Sequence, residues 1–134
     1  DLSLISEYAQ VDDRAYRIMR RLLPGPYTFI LPATKNAPRI TQTPRKEVGL
    51  RCPADNIIRA IIEELGVPMV STSCATPDGE LLADAQDIMD IYGHQLDIVI
   101  DAGYIYPEPS TILDFTSGRP EVVREGKGSI DFEL

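Results

Sequence analysis

The stretch DDRAYRIMRRLLPGPYTFIL, residues 12–31, changes its hydrophobic period partway along, and the change implies an α/β fold. Ala15, Ile18, Met19, Leu22 and Leu23 follow the i, i+3, i+4, i+7, i+8 stripe of an amphipathic helix. Asp12 and Asp13 stand at its positive end and Arg20 and Arg21 at its negative end, which suits the helix dipole. Pro24 stops the helix. Pro24 and Pro26 fix φ on either side of Gly25, whose backbone is free to take what they cannot. Tyr27–Leu31 then reads as a strand.

Working outward, the same alternation repeats. A second helix is expected from about Asp55, burying Ile57, Ile58, Ile61, Ile62 and Leu65 and capped by Gly66, where positive φ is needed. A third begins near Asp84, buries Ala85, Ile88, Met89 and Tyr92, and ends at Gly93. Strand-like runs occupy Tyr27–Leu31, Val48–Cys52, Met69–Ser73, Leu96–Ile100, Thr111–Phe115 and Glu121–Arg124. Pro32 to Pro44 lacks periodicity and reads as a surface loop. The expected architecture is helices packed on a mixed, twisted sheet.

Composition sets the outer bounds. At 134 residues the chain is one domain's worth, and 43% hydrophobic content argues against disorder. No apolar run reaches the roughly 18 residues a membrane-spanning helix needs. Asp1, Glu7, Asp12 and Asp13 interrupt any signal-peptide pattern, so a cytoplasmic protein is expected. Residue 1 is Asp rather than Met, and the chain reads as part of a longer one. Thirteen basic against 21 acidic residues give a net charge of −8, which disfavours a large footprint on nucleic acid. Cys52 and Cys74 lie in no CxxC or Cys/His cluster and read as reduced thiols with no metal role.

Chemistry-bearing residues collect at strand ends. In Val48-Gly49-Leu50-Arg51-Cys52-Pro53, Gly49 and Arg51 share one face of the strand. An Arg there needs a partner, either an internal carboxylate or an anionic ligand held bidentately. Ser71-Thr72-Ser73 ends a run in three hydroxyls, which either bind a ligand or satisfy backbone groups. Pro109-Ser110-Thr111-Ile112-Leu113-Asp114 puts two hydroxyls at a strand start, and Arg124-Glu125-Gly126 ends another strand. Together these hydroxyls and arginines suit a cleft for a phosphate-bearing ligand. Leu23-Pro24-Gly25-Pro26-Tyr27-Thr28 reads as a rigid turn. The chain has no GxxxxGK[ST] loop and no GxGxxG after a strand. His94 has no evident catalytic partner.

The ordered set Pro24-Gly25-Pro26-Tyr27-Thr28, Gly49-Leu50-Arg51-Cys52-Pro53, Ser71-Thr72-Ser73, Pro109-to-Asp114 and Arg124-Glu125-Gly126 resembles the YrdC/YciO family in order and spacing. The resemblance covers essentially the whole chain as the C-terminal two-thirds of such a domain. It implies a YrdC-like twisted open mixed sheet with flanking helices around a concave, positively lined ligand cavity. Synthases of this family condense ATP, L-threonine and bicarbonate into threonylcarbamoyl-adenylate and pyrophosphate, for modification of the adenosine next to the tRNA anticodon. Carried over by motif, Arg51 and Ser110 contact threonine, and Ser73 and Arg124 contact the nucleotide. ATP enters as a substrate with Mg2+, without a tightly bound cofactor or a protein-held metal. No catalytic acid or base is assigned.

Two departures matter. The synthases carry Asn two positions after the serine matched by Ser73, and here that position is Ala75. Ser73-Cys74-Ala75-Thr76-Pro77-Asp78-Gly79 is more similar to the YciO branch, so an activity weakened at Ala75 is expected. The family's Lys/Arg motif lies upstream of the aligned part. The alternatives are a non-catalytic protein binding double-stranded RNA, whose helices are read by shape and phosphate, and a nucleotide sensor without turnover. Taken alone, the chain is expected to be catalytically inert, with exposed apolar surface.

Overall fold

The structure, a computed structural model, describes residues 2–132. The chain forms a mixed α/β fold of two compact units, Asp1–Met69 with Pro109–Leu134, and Val70–Glu108. The first unit holds helices α1 (Leu2–Tyr8), α2 (Asp13–Leu22) and α3 (Asn56–Leu65) and strands β1 (Tyr27–Pro32), β2 (Glu47–Arg51), β3 (Thr111–Asp114) and β4 (Glu121–Arg124).

The strands make one open sheet in the order β2-β1-β3-β4, with β1 parallel to β3 and antiparallel to β2, and β3 antiparallel to β4. Period-two alternation decides which face is buried. Tyr27, Phe29 and Leu31 of β1 are buried while Thr28, Ile30 and Pro32 are half-buried, and β3 repeats this with Thr111 and Leu113 against Ile112 and Asp114. Ile5 and Ala9, together with Ala15, Ile18 and Met19 of α2, join Phe29, Leu31, Val48 and Leu113 in one cluster. α1 and α2 thus cover a single face of the sheet. Removing a side chain of this size from water contributes about 1.5–3 kcal/mol, so Phe29, Met19, Leu31 and Leu113 are the main source of the unit's stability.

α2 begins where the Asp12 carboxylate accepts the Ala15 N–H at 2.7 Å, and it ends with the Leu23 N–H on the Met19 carbonyl. The Leu23–Pro24 peptide is cis. α3 is capped by Asp55 and closed by Gly66 at φ 68°, the left-handed cap expected there. No residue of α3 is buried, so the apolar side predicted for it is only partly covered. α1 was not expected: seven residues are too few to display a stripe. Pro32 belongs to β1, and the loop after it contains a 3-10 turn at Arg39–Thr41.

The second unit holds α4 (Ala85–Tyr92), a 3-10 turn at Gly93–Gln95, and a small hairpin. In the hairpin Ala75 bridges Leu81, and the Leu82 N–H reaches the Cys74 carbonyl. The runs 69–73 and 96–100 were expected to be strands and have no regular structure. A strand exists only when its backbone groups are paired, and these two runs form no ladder among the described residues. Their side chains show it, with Val70 64% exposed and Ile98 78% exposed. α4 buries no residue either, and Met89 is nearly half exposed.

Candidate functional site

Four of the five sequence motifs lie in the first unit, and hydrogen bonds join them pairwise. The Gly25 N–H donates to the Cys52 carbonyl, tying the proline turn to the end of β2. The Thr111 N–H donates to the Pro26 carbonyl, and the Lys127 N–H to the Pro109 carbonyl. These bonds bring the N-terminal ends of β1 and β3 and the C-terminal ends of β2 and β4 to one edge of the sheet.

Register then lines up the side chains. Thr28 pairs with Arg51 on one side and with Ile112 on the other, and Ile112 pairs with Arg124. Cross-strand partners point to the same face, so Arg51, Thr28, Ile112 and Arg124 form one row across all four strands. The row lies on the face opposite the Phe29–Leu113 core. Three strand spacings separate β2 from β4, which puts the two arginine backbones about 14 Å apart. Arg51 is exposed, and no side chain among the described residues pairs with its guanidinium. Among the described residues no carboxylate takes the place that sequence left open for an internal partner.

Arg124 is differently placed. Its Nε and Nη2 donate to the Ser110 carbonyl at 3.0 and 2.8 Å, and Nη2 also reaches the Ser110 Oγ at 3.3 Å. Ser110 is 6% exposed, and its Oγ lies 2.7 Å from the Thr28 Oγ1. The next residue, Thr111, faces the core and fixes the other side of the turn. Its hydroxyl donates to the Gly128 carbonyl at 2.6 Å and accepts the Gly126 N–H at 2.9 Å. Residue 126 must be Gly, because a Cβ there would collide with the Pro109 and Ser110 backbone. Arg124 and Gly126 together hold Ser110 from two directions.

Arg51, Ser110 and Arg124 therefore share one face. Ser73 lies in the Val70–Glu108 unit, exposed, on an irregular stretch just before the hairpin. Ala75 begins that hairpin, its carbonyl accepting the Tyr92 hydroxyl at 2.5 Å, and Thr76–Gly79 makes the turn. His94 contacts Gln95 on the surface, and Cys52 and Cys74 are free thiols. Thr28 was read from sequence as part of a turn, a strand and a family motif, and not as a site residue. What marks it is its register opposite Arg51, which sequence does not show.

The row is an open sheet face, not an enclosed cavity. A depression of about 290 Å³, lined by Gln10, Asp12, Leu31 and Phe115, sits at the other end of β1. A larger one, of about 500 Å³ in the second unit, has Asp84, Asp97 and Asp101 on its wall, charges that repel an anion. Among the described residues the expected positively lined cavity is represented by the arginine-flanked row. Among the described residues no helix is long and apolar enough to cross a membrane.

Comparison with known proteins agrees with this architecture. Residues 1–126 match the Sua5/YciO/YrdC family model, described as "Telomere recombination". The chain is 44% identical over 132 residues to "Uncharacterized protein YciO" of Escherichia coli K12, covering 97% of this chain and 64% of that protein. The crystal structure of E. coli YciO superposes with a TM-score of 0.92 at 43% identity, over 98% of this chain and 65% of that one. A "Putative threonylcarbamoyl-AMP synthase" of Methanocaldococcus jannaschii is 34% identical over 128 residues, covering 94% of this chain and 59% of that protein. The fold is also that of P. abyssi Sua5 complexed with L-threonine, with a TM-score of 0.86 at 24% identity over 94% of this chain and 38% of that one. The chain thus spans about two-thirds or less of these relatives. It belongs to the Sua5/YciO/YrdC family.

Proposed function

We propose that the full-length protein is a threonylcarbamoyl-AMP-synthase-like enzyme of the cytoplasm. It takes ATP with its Mg2+, L-threonine and bicarbonate to threonylcarbamoyl-adenylate, pyrophosphate and water, in the service of tRNA modification. The observation that supports this reading is the row Arg51–Thr28–Ile112–Arg124, with cationic groups at both ends of one sheet face. A ligand pair with two separated anionic parts, a carboxylate and a polyphosphate, suits such a face.

The threonine nitrogen forms a bond to the bicarbonate carbon with loss of water. A carbamate oxygen then bonds to the α-phosphorus of ATP as the bond to pyrophosphate breaks. The protein's part is mainly to hold the reactants in line and to stabilise charge on the leaving pyrophosphate. Arg51, whose guanidinium pairs with no side chain among the described residues, takes the threonine carboxylate as a bidentate pair. Ser110 sits beside threonine. Ser73 and Arg124 serve the nucleotide side, with Arg124 also holding Ser110 in place. Ala75 offers no side-chain hydrogen bond where the synthases have Asn. Loss of one preorganised donor costs about 2.7–4 kcal/mol in a transition state, so a slow enzyme is expected.

The test is formation of the adenylate and release of pyrophosphate by the full-length protein, with each substrate omitted in turn. The reading requires both products to depend on threonine and bicarbonate together. ATP binding without turnover would make the protein a nucleotide sensor. Retention of double-stranded RNA at physiological salt without turnover would make it an RNA-binding protein, against the charge of −8 on these 134 residues.

A further inference from the structure

The hydroxyl of Thr28 has no role so far, and a count of hydrogens assigns it one. Arg124 can only donate, so the Ser110 Oγ accepts from Nη2. Between the Ser110 and Thr28 hydroxyls, 2.7 Å apart, one hydrogen is used. The two hydroxyls carry two hydrogens, and among the described residues neither oxygen has another hydrogen-bond partner. One O–H is therefore left to donate outward.

Polarity decides which one it is. A hydroxyl that accepts from a guanidinium becomes a stronger donor itself, because hydrogen bonds in a chain polarise one another. Ser110, already loaded by Arg124, is therefore the favoured donor to Thr28, which leaves the Thr28 hydrogen over. Thr28 is half-buried and stands in register opposite Arg51, on the open face. We infer that Thr28 is a ligand-binding residue, the outward end of a relay Arg124–Ser110–Thr28 that donates to an anionic oxygen held also by Arg51. The oxygen belongs to a carboxylate or a phosphate, the chemistry the two share. The inference rests on the proposed reading only in taking this face as the ligand face. Arg124 acts here as a positioning residue, since its charge reaches the ligand through Ser110.

The experiment is calorimetric titration of the full-length protein with L-threonine, ATP and pyrophosphate, in the wild type and in Thr28→Val, Thr28→Ser, Arg124→Lys and the double variant Thr28→Val/Arg124→Lys. Val keeps the branched shape and removes the hydroxyl. The relay predicts a roughly tenfold weaker Kd for at least one ligand in Thr28→Val, recovery in Thr28→Ser, and a modest loss of thermal stability in Thr28→Val, where the buried Ser110 hydroxyl loses its acceptor. It also predicts that Arg124→Lys weakens L-threonine binding when Thr28 is present and adds nothing to it in the Thr28→Val background, ATP being left out of this comparison because Arg124 also serves the nucleotide side. Unchanged affinities in Thr28→Val overturn the relay alone, as do additive effects in the double variant. Thr28-dependent binding of pyrophosphate without any binding of threonine keeps the relay and removes the synthase reading. A wild type that binds none of the three overturns both.

Discussion

The two units use similar kinds of apolar sequence with opposite results. In the first unit, Tyr27–Leu31 and Thr111–Leu113 find neighbours on both sides, and their alternate residues disappear into a core. In the second, residues 70–73 and 96–100 carry comparable side chains and leave most of them in water. What survives there is what bonds locally: α4, the 3-10 turn and the hairpin around Thr76–Gly79. A helix or hairpin satisfies its own backbone, whereas a strand depends on a partner elsewhere. The difference teaches that the motifs needing precise placement are those knitted by the sheet.

The largest effect that tests this contrast is at Phe29. Phe29→Ala should destabilise the 134-residue chain by about 3–5 kcal/mol in chemical denaturation, because the side chain is fully enclosed. A loss under 1 kcal/mol would mean that the first unit is no better packed than the second.

Next comes Arg51, exposed and outside the core. Arg51→Ala should weaken L-threonine binding by the full-length protein about ten- to hundredfold, the worth of a hydrogen-bonded charge pair, and leave unfolding unchanged. Arg51→Lys should not restore it, since an ammonium lacks the planar fork. Equal affinity in wild type and Arg51→Ala would remove Arg51 from the site.

A third, smaller effect is expected in the second unit at Ala75. Ala75→Asn adds a donor and an acceptor at the start of the hairpin and should raise adenylate formation up to about tenfold in single turnover. No gain with ATP binding intact would show that Ala75 is not what separates this chain from the synthases. The smallest effect is Ile98→Ser, which should shift the stability of the 134-residue chain by no more than about 0.5 kcal/mol. A cost of several kcal/mol would mean that Ile98 is buried in this chain.

These contrasts also explain what could be read from sequence. α2 was legible from its stripe, its Asp12 cap and Pro24, because all three signals are local. β1, β3 and the proline turn before β1 were legible from composition and from their Gly and Pro boundaries. Residues 69–73 and 96–100 look identical to strands in composition, and only the missing partner distinguishes them. At the site, Arg51 was legible as an arginine in an apolar strand beside Gly49. Thr28 was not, since its place opposite Arg51 and against Ser110 comes from pairing across 23 and 82 positions of chain. Nor could sequence show that Arg124 forks onto Ser110, a contact that requires the β3–β4 register with its irregularity at Ile112/Leu113.

The central claim is that the ligands lie on the sheet face bearing Arg51, Thr28 and Ser110. A crystal structure of the full-length protein with L-threonine and a non-hydrolysable ATP analogue tests it most directly. The account predicts the threonine carboxylate within about 2.7–3.2 Å of the Arg51 guanidinium, with a ligand oxygen at hydrogen-bond distance from the Thr28 hydroxyl. Ligands bound instead in the depression lined by Asp84 and Asp101, or against Gln10 and Phe115 at the far end of β1, would contradict it.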